Sequence, residues 1–194
     1  VVAPVTSKAS AIVTLLESAA LMVVPLNVRE PATTLPVPPG VNIKSALLDS
    51  ELIMSKVISR DRGFIILNLE KEINENDYLN FQKLIDERSK GKPLAYLTGK
   101  KFFWKYEFEV NDKVLIPRPD TEIVIEQVLK IYKMKKKISF LDIGFGSGCI
   151  LLSILKERKD FMATGIDISG NALKMCKVNA YKLGLKKRLK LFKS

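Results

Sequence analysis

A chain of 194 residues, 47% of them hydrophobic, has room for one ordinary domain or two small ones with a buried core. Its net charge of +11 favours acidic partners, RNA-bound assemblies among them. The absence of histidine excludes an imidazole base and argues against a zinc site, and two cysteines, Cys149 and Cys176, fit a reducing compartment without disulfides.

Residues 1–43 stand apart, with six of the nine prolines, no aromatic residue and four charged residues. Ala11 to Val24 has helical spacing, with Ile12, Leu15, Leu16 and Ala19 on one face. Glu17 and the lack of a basic leader argue against a signal peptide there, and no apolar run reaches the length of a membrane span. Pro25 to Gly40 reads as an extended, mobile linker.

Residues 44–90 read as helices. Leu47, Leu48, Leu52, Ile53, Met54, Val57 and Ile58 encircle most of the first, which is expected to be largely buried. After a turn at Asp61-Arg62-Gly63, Phe64 to Leu69 fits either strand or helix. Asn76 or Asp77 is the expected cap of the next helix, whose stripe is Tyr78, Phe81, Leu84 and Ile85, and Gly91-Lys92-Pro93 ends it. Residues 101–116 alternate as a hairpin with Asn111-Asp112 as its turn. Pro117 and Pro119 stiffen the loop around Arg118, which either serves a ligand or pairs with a nearby carboxylate. Asp120 or Thr121 is the expected cap of a helix through Val124, Ile125, Val128, Leu129 and Tyr132. Two basic runs, Lys133 to Lys137 and Lys182 to Lys193, read as solvated surfaces.

The stretch from Ile138 to Ile150 carries the strongest signal. An apolar strand runs into Asp142-Ile143-Gly144-Phe145-Gly146-Ser147-Gly148 and then into an apolar helix. Alternate glycines allow a sharp turn and a close approach of backbone to ligand, and the first amides of the following helix are free donors. Asp142 at the strand end opposes a phosphate and suits a positive amine. A dinucleotide fingerprint needs its third glycine at position 149, where Cys149 stands, as a packing residue. A second strand, Phe161 to Ile168, ends in Asp167, which is placed to accept ribose hydroxyls or, more plainly, to cap a helix. Ser169 caps the helix Asn171 to Leu183, Gly184 ends it, and Leu189 to Phe192 begins a third strand. Such alternation predicts parallel pairing with right-handed crossovers.

Asp-x-Gly-x-Gly-x-Gly resembles the first motif of S-adenosylmethionine (SAM) methyltransferases. Together with Gly91-Lys92-Pro93-Leu94-Ala95-Tyr96-Leu97-Thr98-Gly99, Phe103-Trp104, Val114-Leu115-Ile116-Pro117-Arg118-Pro119-Asp120-Thr121-Glu122 and Asp167-Ile168-Ser169, it closely resembles the HemK family, the peptide chain release factor N(5)-glutamine methyltransferases. The resemblance runs from about Ser45 to Ser194; Phe145 replaces a usual Thr and Gly170 a usual Pro.

The resemblance implies an α/β chain: an incomplete Rossmann-like SAM-dependent methyltransferase domain (119–194), preceded by a helical substrate-docking domain (44–100) and a β-hairpin linker (101–118), with residues 1–43 outside the family. It implies SAM as cofactor, with Gly144, Gly146 and Gly148 along the methionine end, Asp142 toward the amino group, Asp167 on the ribose, and Phe145, Ser147 and Arg118 completing the cofactor site. It also implies a release factor as partner, methylated on the glutamine of its Gly-Gly-Gln loop. No membrane and no sequence-specific nucleic acid is expected, and the compartment is cytoplasmic, or mitochondrial or organellar in a eukaryote. The 194 residues contain no Asn-Pro-Pro-Tyr, the family's amide-orienting motif, so they are expected to hold the cofactor half of the site, with no catalytic residue, and to be inactive alone. The competing expectations are a related methyltransferase acting on a ribosomal-protein glutamine or a nucleic-acid amino group, and a non-catalytic binding remnant.

Overall fold

The computed structural model describes Leu16 and residues 43–194. Contacts divide the chain into two units, one ending at Thr98 and the other beginning at Gly99. The readings of 11–24 as a helix and 25–40 as a mobile linker lie outside the described residues, except at Leu16, which is helical and buried.

The first unit is helical. Helix α1 (Ile43–Val57) packs against α2 (Arg62–Leu67), α3 (Glu75–Ser89) and α4 (Leu94–Thr98). Leu16, Ala46, Ile53, Met54, Ile65, Phe81, Ile85 and Leu97 form its core, each large side chain contributing about 1.5–3 kcal/mol of burial. The open reading of Phe64 to Leu69 resolves as helix through Leu67 followed by a turn; Asp61 caps that helix by accepting the Phe64 N–H at 2.7 Å. Two expectations are corrected. Leu47 and Leu48 lie on the outer face of α1, which buries one side and not its whole circumference. The cap of α3 is Asn74, neither Asn76 nor Asp77: its Oδ1 accepts the Asp77 N–H at 2.9 Å while its Nδ2 donates to Asp77 Oδ2 at 2.8 Å. Half-buried ion pairs, Asp49 with Arg88 and Glu51 with Arg62, fasten α3 and α2 to α1.

The second unit opens with an antiparallel hairpin, β1 (Lys100–Phe103) and β2 (Tyr106–Glu109). Its turn is Trp104-Lys105, not the expected Asn111-Asp112. Trp104 adopts φ 57°, a strained conformation for an aromatic residue. Two bonds hold it, its N–H to Glu122 Oε1 at 2.7 Å and its indole Nε1 to Glu157 Oε1 at 2.9 Å, and Tyr106 Oη donates to the same Glu157 oxygen at 3.0 Å. Ile116 to Arg118 then leads into a 3₁₀ turn, Pro119–Thr121, and α5 (Glu122–Ile131). Thr121 makes no side-chain cap bond, so the expected capping there gives way to this turn, which runs into α5 in helical backbone geometry.

The rest alternates β3 (Ser139–Ile143), α6 (Cys149–Glu157), β4 (Met162–Asp167), α7 (Gly170–Lys182) and β5 (Leu189–Lys193). The strands are parallel in the order β3-β4-β5, a partial Rossmann-like layer. Ser169 caps α7, its Oγ accepting the Ala172 N–H at 3.2 Å. The face carrying Ala163, Gly165 and Asp167 is buried against α6 and α7, whereas Leu141, Ile143 and Phe192 on the opposite face are 53%, 77% and 53% exposed. Among the described residues no helix is long and apolar enough to cross a membrane.

Two consequences are measurable. Ser153 on α6 is fully buried, and its hydroxyl has no hydrogen-bond partner among the described residues. Ser153→Ala is expected to stabilise the chain by about 1 kcal/mol, read as a higher midpoint in thermal or urea unfolding; a lower midpoint contradicts the assignment of an unsatisfied hydroxyl. Burial pushes the Glu157 carboxyl up, but donors from Trp104, Lys105 and Tyr106 outweigh it and leave the group below the usual carboxylate range. Its stabilisation is therefore present above the unfolded-state value and lost as pH falls through the lower folded value. Glu157→Ala should cost about 1–3 kcal/mol at neutral pH, with the difference from the parent shrinking on acidification.

Candidate cofactor site

The site begins at the carboxyl ends of β3 and β4. Gly144 continues the ladder, donating its N–H to Ile166 O at 2.8 Å. The chain then passes Gly144 (φ 78°), Gly146 (φ 57°) and Gly148 (φ 84°), all in the left-handed region that favours glycine. A Cβ on Gly144 or Gly146 would meet no atom within 4 Å, so the turn presents an open backbone surface there. Gly148 differs: a Cβ would lie 2.6 Å from Cys176 Sγ and 3.0 Å from Leu152 Cδ1. It is the point where the turn presses against α7 and its own helix.

Two carboxylates flank the open surface. Asp167 accepts the Gly146 N–H on one oxygen at 2.9 Å and the Ser169 N–H on the other at 2.8 Å, which leaves lone pairs on both for further donors. Asp142 pairs in register with Gly165, two residues before Asp167 on the same side of the sheet. Burial first, and the Asp167 charge second, raise the Asp142 carboxyl above its ordinary value. Two acids held together in this way favour a cation or a donor-rich ligand over a phosphate.

The eight residues expected at the site fall into three groups. Asp142, Gly144, Gly146 and Asp167 come together on the open side. Phe145, Ser147 and Gly148 turn inward: the Phe145 ring lies against Gly165, where a Cβ would sit 2.7 Å from its Cδ1, and Ser147 is buried with its hydroxyl 3.0 Å from Cys149 Sγ. Arg118 is exposed; its carbonyl accepts the Thr121 N–H at 3.0 Å, but among the described residues its side chain makes no hydrogen bond or ion pair, so of its two readings the pairing with a carboxylate is not formed. Burial pushes the Cys149 and Cys176 thiols up to about 12, which makes them packing groups and not nucleophiles. One residue was missed by the sequence reading. Asn179 of α7 is buried and bonds both the turn and the hairpin; an asparagine in mid-helix, a poor helix former three positions after Cys176, was the available signal.

The parallel strand–glycine turn–helix unit, with an acid on each of two neighbouring strands, defines a Rossmann-like small-molecule-binding domain. Residues 40–99 match the family model described as the PrmC N-terminal domain. The chain is 41% identical over 139 residues to the release factor glutamine methyltransferase of Buchnera aphidicola subsp. Schizaphis graminum, covering 71% of this chain and 50% of that protein. It is 41% identical over 143 residues to the release factor glutamine methyltransferase of Clostridium acetobutylicum, covering 74% and 50%. Among solved structures, a SAM-dependent methyltransferase from Geobacter sulfurreducens in complex with S-adenosyl-L-homocysteine aligns at 23% identity and a TM-score of 0.34, covering 40% of this chain and 29% of that one. These matches support the resemblance to the HemK family drawn from the sequence, and the chain spans about half the length of the curated relatives it matches.

Because the Asp142 carboxyl is raised in the folded state, its contribution is fully present below the unfolded-state value and is lost as pH rises through the folded value. Asp142→Asn removes that loss. Melts of the variant and the parent should lie closest in acid and separate in the variant's favour as pH rises past about 4 toward neutrality; a parent that gains on the variant over that range would contradict the crowding of Asp142 and Asp167.

Proposed function

We propose that this chain binds S-adenosylmethionine and belongs to an enzyme that transfers a methyl group to the side-chain amide of a release factor glutamine. The observation that carries the reading is the open glycine surface between two carboxylates, one of which, Asp142, is held above its ordinary value by burial and by its neighbour. Those groups fit the ligand. Asp142 would face the donor's amino group, Asp167 the two ribose hydroxyls, and the bare backbone at Gly144 and Gly146 the methionine end. The relatives named above support the class of acceptor.

When bound, SAM supplies a methyl group on a sulfonium, already a strong electrophile. The chain's own residues have three tasks. Asp142, charged once it faces an amine, fixes one end of the ligand. Asp167 holds the turn through Gly146 and keeps acceptor capacity for hydroxyls. Phe145, packed on Gly165, keeps the turn's interior dry while leaving its outer surface clear. None of these residues needs to act as a base. An amide nitrogen is a poor nucleophile whose proton can leave after the methyl arrives, so alignment supplies the larger part of the rate.

Calorimetry with S-adenosyl-L-homocysteine and, separately, with a nicotinamide dinucleotide tests the reading. The thioether ligand should bind and the dinucleotide should not. Asp167→Ala should weaken binding by about 1–3 kcal/mol through lost charge-assisted hydrogen bonds. Preferential binding of the dinucleotide overturns the cofactor. A radiolabelled methyl-transfer assay on a release factor, run beside one of the longer relatives, tests the acceptor; label from the relative that lands elsewhere than on glutamine overturns that part.

A further inference from the structure

We infer that Asn179 is a positioning residue that sets the shape of the glycine turn and couples it to the hairpin. Its position is 1% exposed on α7, and its oxygen and both of its N–H donors are bonded. Oδ1 accepts the Glu109 N–H at 2.7 Å, Nδ2 donates to Glu109 O at 3.0 Å, and the second Nδ2 hydrogen goes to Ser147 O at 2.9 Å. The side chain thus reads both backbone groups of the last residue of β2 as a neighbouring strand would, and with its remaining donor it holds a carbonyl in the middle of the turn.

Three further observations give this arrangement its direction. Cys176, one helical turn earlier on α7, backs Gly148, so a single face of α7 meets the turn at two successive points. The Ser147 carbonyl lies between Gly146, whose N–H is held by Asp167, and Gly148, whose N–H returns to Phe145 O at 2.8 Å. The hairpin is anchored to α7 a second time by Lys182, whose Nζ lies 2.5 Å from Glu109 Oε1. Asn179 is therefore the one described side chain that bonds the turn and the hairpin together, and β2 leads on to the loop bearing Arg118. Removing the amide leaves the Ser147 carbonyl and both Glu109 backbone groups without these partners in a buried place. The turn then loses its only described side-chain restraint from α7 besides the Cys176 contact. The consequence is a looser open surface at Gly144 and Gly146, where a ligand is bound on the reading proposed above, on which the affinity part of this inference rests.

The test uses the full 194-residue chain with Asn179→Leu, close in size and without hydrogen-bonding groups, and with Asn179→Asp, which keeps the acceptor for Glu109 and loses both donors. Phe161→Leu, a core loss at the opposite end of β4, is the control for general destabilisation. Amide exchange is followed without ligand, and S-adenosyl-L-homocysteine affinity by calorimetry. In both Asn179 variants the Gly146 and Gly148 amides should exchange about tenfold faster, and the ligand should bind about tenfold more weakly, while the control stays within about twofold on both. Should the Leu variant not fold, the Asp variant carries the same two readouts. Unchanged exchange at Gly146 and Gly148, or equal effects in the control, overturns the inference. Failure of the parent chain to bind the ligand overturns the donor reading instead, and the exchange data decide the positioning role by themselves.

Discussion

A side chain at position 148 has nowhere to go, and much of the second unit follows from that. Its φ of 84° is a left-handed one, and its missing Cβ is matched by Cys176 at a distance no carbon could tolerate. Because the turn can sit this close to α7, α6 and α7 share one side of the sheet and bury Ala163, Gly165 and Asp167. Because Gly165 has no side chain, the Phe145 ring fills that place, and the turn's large apolar residue points inward. The outer surface at Gly144 and Gly146 is clear as a result. Glycines 144 and 146 look alike in sequence to Gly148, yet they leave open space beside the backbone while Gly148 serves packing.

The second governing term is electrostatic. Two carboxylates on neighbouring strand ends repel, and burial removes the water that would soften the repulsion. The chain tolerates this by giving Asp167 two backbone donors and by letting Asp142 take the raised value. In the free chain such a pair is destabilising as pH rises. On the binding reading proposed above, a cationic or donor-rich ligand would relieve it, and part of the stability lost by assembling the two acids would be recovered on binding.

Much of this was legible in the sequence because its causes are local. The glycine turn, the acids at the two strand ends and the Ser169 cap each rest on residues within a few positions, and the parallel alternation on the order of the elements. What was not legible depends on distant partners. The hairpin turns at Trp104 because Glu122 and Glu157, 18 and 53 residues away, hold its backbone and indole. Asn111-Asp112, the better local turn sequence, lost to those bonds. In the same way Leu47 and Leu48 have the composition of a buried helix, but α2, α3 and α4 cover only the side carrying Ala46, Ile53 and Met54. The α3 cap was missed by two residues because Asn74 and Asn76 are chemically equal candidates, and only the reciprocal bond with Asp77 separates them. Arg118 shows the converse limit. Two prolines fix its backbone at φ −89° and ψ 143°, as the sequence implied, yet nothing local determines what the guanidinium meets.

The hairpin is attached to the Rossmann-like layer by polar groups more than by apolar ones. Glu157 gathers the Trp104 indole, the Tyr106 hydroxyl and the Lys105 ammonium from one end of it; Asn179 and Lys182 take Glu109 at the other. Phe103 and Phe108, fully buried and in edge-to-face contact at 6.3 Å, supply the apolar floor between. Apolar packing alone allows a two-stranded ribbon to slide, since its contacts are non-directional. Directional bonds at both ends fix the ribbon's position along the layer, and through β2 they fix where the loop toward Arg118 begins. The placement of that loop relative to the glycine turn is therefore a property of Glu157 and Asn179, two residues that need not touch a ligand at all.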